Sequence, residues 1–264
     1  MTPEQVFVRG AVVTRHFQAQ VGPPSGPGWL PYHILSTPDG LDTIVRYVNQ
    51  AAPGAPSTVA AALFASSVSA AFAAPLTGAL FQDRRVVVPT PDRAWVRPAY
   101  TGVDAVAVDR VTVTVLPDDP LAGQPRVVTV ADLEALRRAA VSGYRALLDP
   151  MVERVATSTR RGRRALWVDA GDRLATYLLL AGRELGDPDG GRREADALLA
   201  TAEPPLRHRV AWLEFEHRGV PVIWKRRPVC CLVYQAPAWR GQYCATCPLV
   251  PDAETVRRTR EWLG

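Results

Sequence analysis

Apolar residues alternate with polar ones in the first half of the chain. In the stretch RVTVTVLP, Val111, Val113 and Val115 alternate with threonines, so one face of a strand can be buried while the other stays polar. Three preceding stretches, RRVVVPT, RAWVRPA and DAVAVD, also have strand character and are separated by Pro, Gly or Asp. Short strands separated by such turn residues predict an antiparallel meander over residues 84–117.

Helical spacing of apolar residues dominates the second half. In VADLEALRRAAVSGYRALLDP, one helical face collects Leu133, Leu136, Ala140, Tyr144 and Leu147. Proline cannot continue the hydrogen bonding of a helix interior, so Pro150 is expected to end or kink this helix.

Four further helices and a hairpin are predicted. The helices cover residues 163–186, Gly191 to Ala202, a C-terminal stretch from Asp252, and an early stretch capped by Thr37 that runs from Pro38 to about Gln50. The hairpin turns at Arg218 and Gly219. Segregated strands and helices define an α+β fold, with a main domain at 1–222 and a small C-terminal segment at 223–264.

One long stretch has no charged residue, from Tyr47 to Gln82. Its length would suffice for a membrane span, but it is rich in Ala, Ser and Gly and contains Pro75. Since Leu, Ile and Phe drive insertion, a buried helix is the better prediction, and peripheral contact with a membrane stays open. The N-terminus lacks the pattern of a signal peptide, so a cytoplasmic, reducing location is expected.

The formal net charge is +5, and Lys225 is the only lysine. Either the codon bias of a GC-rich genome or selection for anion contacts would explain so many arginines. No nucleic-acid partner is expected, because the sequence has neither an interleaved basic and aromatic stripe nor a known binding motif.

All four cysteines lie within eighteen residues, as Cys230, Cys231, Cys244 and Cys247, in the pattern CC-x12-C-x2-C. A zinc site suits the C-x2-C pair, but two adjacent cysteines reach one ion only if the backbone bends sharply. A [2Fe–2S] cluster also takes four thiolates and attaches them at two separate metal centres. Disulfides or free thiols form the third alternative, although a bridge between adjacent cysteines is strained.

The cysteine segment resembles a known signature. RRPVCCLVYQAP followed by YCATCPL is similar to the C-terminal signature of the FhuF-like siderophore-iron reductases, in which a basic residue precedes Cys-Cys-Leu and an aromatic follows two residues later. The resemblance covers residues 226–249, and RRALWVDAGDRLA more weakly resembles a helix led by Leu-Trp in such proteins. The twelve-residue loop between the inner cysteines is longer than in the family pattern.

The resemblance implies a [2Fe–2S] cluster held by the four cysteines, with no catalytic residue beyond it. The implied activity is one-electron reduction of the iron in a ferric siderophore, which releases Fe(II) for iron uptake. The sequence has no flavin or nicotinamide motif, so an external electron donor such as a ferredoxin is expected.

The sequence leaves two questions open. The first is whether certain arginines dock the substrate or donor or are simply solvated; they are Arg160, Arg161, Arg163, Arg164, Arg226 and Arg227. The second is whether the protein is instead a non-redox module that binds a siderophore or partner and carries a structural zinc or cluster.

Overall fold

The fold is α+β, as predicted. The computed structural model describes residues 1–40, 42, 43, 46, 53–99 and 102–263. Within these residues the α-helices are α1 (Pro3–Thr14), α2 (Ser57–Asp83), α3 (Leu133–Ser158), α4 (Arg163–Glu184), α5 (Pro188–Ala200) and α6 (Asp252–Leu263). The strands are β1 (Gln18–Val21), β2 (Leu30–Pro31), β3 (Val86–Pro89), β4 (Ala94–Ala99), β5 (Gly102–Val108), β6 (Val111–Val115), β7 (Val127–Thr129), β8 (Ala211–His217) and β9 (Val220–Arg226).

The strands form two small mixed sheets and one hairpin. The first sheet has the order β1-β5-β4-β2, the second β3-β6-β7, and β8 pairs with β9. In β6 the predicted alternation holds, with Val111, Val113 and Val115 buried.

The four predicted strands pair differently from a simple meander. β4 and β5 pair in antiparallel fashion as neighbours in sequence, whereas β3 pairs with β6. The second edge of β5 is occupied by β1, which runs parallel to it. Because β5 has no free edge left for β6, β6 lies between β3 and the parallel strand β7 in the other sheet.

The uncharged stretch forms the central helix α2, which packs against α1, α3 and α4. Among the described residues this helix alone is long and apolar enough to cross a membrane, and 89% of its most apolar window is buried within the protein. The prediction of a buried helix is therefore confirmed. Small side chains let neighbouring helices approach closely, most tightly where Gly10 of α1 faces Gly78 of α2.

Pro150 does not end α3, which continues to Ser158. The predicted apolar face is buried at Leu136, Ala140, Tyr144 and Leu147. In the turn before the proline, the Tyr32 hydroxyl donates to the Leu147 carbonyl at 2.8 Å. Tertiary packing thus supports a helix through a residue that would interrupt it in isolation.

The remaining predicted helices of the second half are present. α5 begins three residues earlier than expected, because the Asp187 carboxylate accepts from the Gly190 amide and Pro188 suits the first helical position. The hairpin turns as predicted at Arg218 and Gly219, where both φ angles are positive, 53° and 76°.

The early helix is described only in part. The amide of Gly40 donates to Thr37 Oγ1 at 3.2 Å, which is the predicted cap interaction. Most of the stretch from there to Gln50 lies outside the described residues.

Substituting Gly78 by Ala should destabilise the protein by about 1–3 kcal/mol, because the added methyl would collide with the backbone carbonyl of Gly10. Denaturant unfolding followed by circular dichroism measures the change. The control is Val12→Ala on the outer side of α1, where the side chain is 63% exposed and the change should stay within about 0.5 kcal/mol. Equal stability of both variants would show that the α1–α2 crossing is not tightly packed.

Candidate metal centre

The four thiols come together just after β9, at the end of the β8–β9 hairpin. None of them forms a disulfide. Sγ of Cys230 lies 3.7 Å from Sγ of Cys247, and the Cys231 and Cys244 thiols interact closely enough that each shifts the pKa of the other. Each of these two interactions joins one residue of the Cys-Cys dipeptide to one of the C-x2-C motif.

A local bend makes this pairing possible. Leu232, directly after the dipeptide, has a left-handed backbone with φ of 62°, and its amide approaches Cys230 Sγ at 3.3 Å. The Arg161 guanidinium donates to the Cys230 carbonyl at 2.7 Å. The adjacent cysteines point to different partners, as extended neighbours do, and the bend returns the chain toward Cys244 and Cys247.

The spacing of these thiols suits metal ligation in pairs. Two thiolates on one tetrahedral ion lie about 3.8 Å apart, since each metal–sulfur bond is about 2.3 Å long. The pair of Cys230 and Cys247 meets that distance. Within the described ranges, no three His, Cys, Asp or Glu side chains are grouped around a single point that could hold an ion. The pair of Cys230 and Cys247 fits one iron of a [2Fe–2S] cluster, and it fits equally two of the four ligands of a zinc ion.

The thiols differ in their protonation. The hydrogen bond from Cys244, helped by the charge of Arg227, lowers the pKa of Cys231 to about 5. The same hydrogen bond, together with burial, raises the pKa of Cys244 far above its usual value. Burial raises the pKa of Cys230. Since thiolates are the form that binds metal, Cys231 is the thiol best prepared to be a ligand.

Buried ion pairs join the cysteine segment to helix α4. Arg227 Nη2 lies 2.5 Å from Oδ1 of Asp169, and Nζ of Lys225 lies 2.5 Å from Oδ1 of Asp172. Arg173 approaches Asp169 at 3.5 Å. Burial alone would raise the pKa of Asp169, but the charges of Arg173 and Arg227 outweigh it and hold that pKa well below its usual range.

The network carries more positive than negative charge. Its four cations, Arg161, Arg173, Lys225 and Arg227, face two carboxylates, Asp169 and Asp172. The network therefore has a formal surplus of two positive charges, and two of its members, Arg161 and Arg227, lie next to the cysteines. An oxidised [2Fe–2S] centre with four thiolate ligands carries two net negative charges, so this network would compensate it in a poorly solvated region.

The six arginines proposed from sequence separate into three groups. Arg160 and Arg164 are exposed, and Arg163 is also exposed and pairs with Glu153. Arg226 pairs with Asp252 of α6 at 2.8 Å.

Arg161 and Arg227 turn inward beside the cysteines, so a solvated position is wrong for these two. Lys225, the only lysine, is buried as well, with 5% of its surface exposed.

Three charged residues of α4 near the cysteines were not predicted from the sequence; they are Asp169, Asp172 and Arg173. A signal was present, because Asp169 and Arg173 lie one turn apart beside the apolar stripe of Leu166, Ala170 and Tyr177. Charged residues on the buried side of an amphipathic helix indicate a buried ion pair or a functional site.

Comparison with known proteins adds no relative. No protein-family model matches the chain, and no curated protein matches it significantly. The resemblance to the siderophore-iron reductases therefore depends on the cysteine segment and, more weakly, on residues 163–175.

Replacing Asp169 by Asn should cost about 3–5 kcal/mol of folding free energy, because it leaves the buried Arg227 charge without its partner. Chemical denaturation measures the loss. Glu134→Gln is the control, since Glu134 pairs with Arg138 on the surface, where both side chains are more than half exposed, and should cost less than about 1 kcal/mol.

The double variant Asp169→Asn with Arg227→Gln should recover part of the loss, because it removes both charges. Equal losses for Asp169→Asn and Glu134→Gln would contradict a structural role for the Asp169–Arg227 pair.

Proposed function

We propose that this protein is a [2Fe–2S]-containing reductase of ferric siderophores that acts in the cytoplasm. The observation that supports the proposal most strongly is the clustering of four free thiols, with Cys230 and Cys247 3.7 Å apart, beside a buried surplus of positive charge. The similarity of residues 226–249 to the signature of siderophore-iron reductases supplies the substrate class.

Each of the four cysteines has a ligand role in this proposal. Cys230 and Cys247 would hold one iron, and Cys231 and Cys244 the other. When bound, such a cluster supplies electrons one at a time. The buried Arg161 and Arg227 stabilise the negative charge of the thiolates, which favours ligand binding and makes acceptance of an electron less costly.

The reaction follows from the chemistry of the substrate. Hard, anionic oxygen ligands hold Fe(III) much more tightly than Fe(II). Transfer of one electron to the chelated iron converts Fe(III) to Fe(II), which then leaves the siderophore. An external one-electron donor such as a ferredoxin restores the protein to its reduced state.

Exposure of the thiols suggests where electrons enter. Cys230 and Cys244 are partly exposed, whereas Cys231 and Cys247 are buried. Tyr234 and Tyr243 pack against each other in the same segment, with ring centroids 4.9 Å apart, and Tyr243 is exposed. A small donor protein would approach this partly exposed side, while the arginine network occupies the buried side.

Single replacement of Cys230, Cys231, Cys244 or Cys247 by Ser should remove most of the iron, from about two atoms per chain, because each thiolate is a quarter of the ligand set. Iron analysis and visible absorbance measure the loss. Ala245→Ser is the matched control, since it adds a hydroxyl between Cys244 and Cys247 without removing a thiol, and it should keep its iron.

Two results would contradict the assignment. One is full iron content in all four serine variants. The other is a colourless wild-type protein that contains zinc, which would favour the non-redox alternative with a structural zinc site.

The reduced protein, mixed anaerobically with a ferric siderophore and a ferrous-specific chelator, should regain its oxidised absorbance as Fe(II) is trapped. One electron should leave for each iron captured, because Fe(III) takes up a single electron. The chelator removes the product and draws the reaction forward. A cluster-free serine variant controls for stray reductant.

The proposal fails if the reduced protein stays reduced with chemically different ferric siderophores. A cluster-bearing binding or sensing protein would then explain the thiols better.

A further inference from the structure

An open cavity of about 310 Å³ lies between α2, α4 and the loop that follows α1. It borders the part of the chain where Arg227 leaves the β8–β9 hairpin. The polar and aromatic residues that line it include His16, Phe17, Ser66, Arg173, Tyr177 and Arg227.

Two residues connect this cavity to the surroundings of the cysteines. Arg227 and Ser66 also line a second, much smaller cavity, and Cys231 forms part of the wall of that cavity. A molecule in the larger cavity would therefore contact an arginine that it shares with the surroundings of Cys231. This position suits a substrate that receives an electron from the thiol-bound centre.

The charged groups of the cavity favour an anion. Arg173 and Arg227 line it, and none of the described lining residues is acidic. Both guanidinium groups pair with the same carboxylate, that of Asp169. Within the described part of the chain, Nε of each arginine is buried without a hydrogen-bond partner. Guanidinium groups with unused hydrogen-bond donors attract an anionic oxygen ligand.

Aromatic residues form one wall of the cavity, and they favour a second feature in its ligand. The Tyr177 ring lies 5.9 Å from the ring of Phe17 and 5.7 Å from that of His16, measured between centroids. Aromatic rings favour other aromatic rings in stacked or edge-on contact. A ligand that combines an aryl ring with anionic oxygens would satisfy both the wall and the arginines.

We propose that this cavity binds one aryl arm of an anionic ferric chelate of the catecholate or phenolate type. The proposal rests on the proposed reductase function for its substrate class, and it adds the site and the chemical preference. Neutral, aliphatic hydroxamate chelates would gain little from either the arginines or the aromatic wall.

The test uses gallium(III) complexes, which bind like ferric chelates but accept no electron under these conditions. The intact, cluster-containing protein is titrated with the gallium complex of a tricatecholate and, separately, with the neutral gallium complex of a trishydroxamate. Binding is measured by equilibrium dialysis. We expect the tricatecholate complex to bind roughly tenfold more tightly, or better.

Two variants locate the site. Arg173→Gln should weaken binding of the tricatecholate complex roughly tenfold, since it removes a charge from the cavity. Arg209→Gln is the matched control, because Arg209 is exposed and lines a different cavity, so binding should change less than about twofold. Both variants lose one positive charge, so a general charge effect would be equal in the two.

A further variant covers the case in which Arg173→Gln fails to fold. His16 is exposed, so His16→Asp should fold and should weaken binding by placing a negative charge at the mouth of the cavity. Equal affinity for the two gallium complexes, or equal effects of the cavity and control variants, would overturn the proposed site.

The test separates failure of the site from failure of the function. Tight, Arg173-dependent binding without reduction of the ferric complex would keep the binding site and reject the reductase. Reduction that is unaffected by Arg173→Gln and His16→Asp would keep the reductase and reject the site.

Discussion

The buried ion pair between Asp169 and Arg227 is the contact on which the arrangement of the candidate site depends. It joins helix α4 to the strand end that leads into the cysteines, across 58 residues of sequence. The Arg227 amide also donates to the Thr246 carbonyl at 2.9 Å, next to Cys247. Arg227 thus holds both the Cys-Cys segment and the C-x2-C segment against the helical core. Loss of its partner carboxylate would leave the buried charge of Arg227 uncompensated.

The helical core makes such an anchor possible. α2 and α4 pack closely, and small residues along α2 keep that packing tight. On this poorly solvated surface, cations from the hairpin pair with both carboxylates, Arg227 with Asp169 and Lys225 with Asp172. The positive surplus that results lies where four thiolates would need compensation. Folding and the proposed chemistry therefore use the same charges.

The candidate site has two different sides. The partly exposed thiols Cys230 and Cys244 face outward among the tyrosines of the C-terminal segment, whereas Cys231 borders the arginines and, through Arg227, the aromatic cavity. A protein that passes an electron from a donor to a small substrate needs separate access for each. In the proposed function the donor uses the outer side and the chelate uses the cavity.

The sequence by itself determined most secondary-structure elements and the candidate metal ligands, because both depend on local patterns in the chain. Periodicity predicted the main helices and the alternation in β6, the turn placed at Arg218 and Gly219 predicted the hairpin, and cysteine spacing indicated a metal site. Tertiary structure alone decided the strand partners, the continuation of α3 through Pro150, and the inward position of Arg161, Lys225 and Arg227. These depend on contacts between residues far apart in the chain, such as Asp172 and Lys225, which are separated by 53 positions. A local pattern cannot show which distant charge will compensate a buried one.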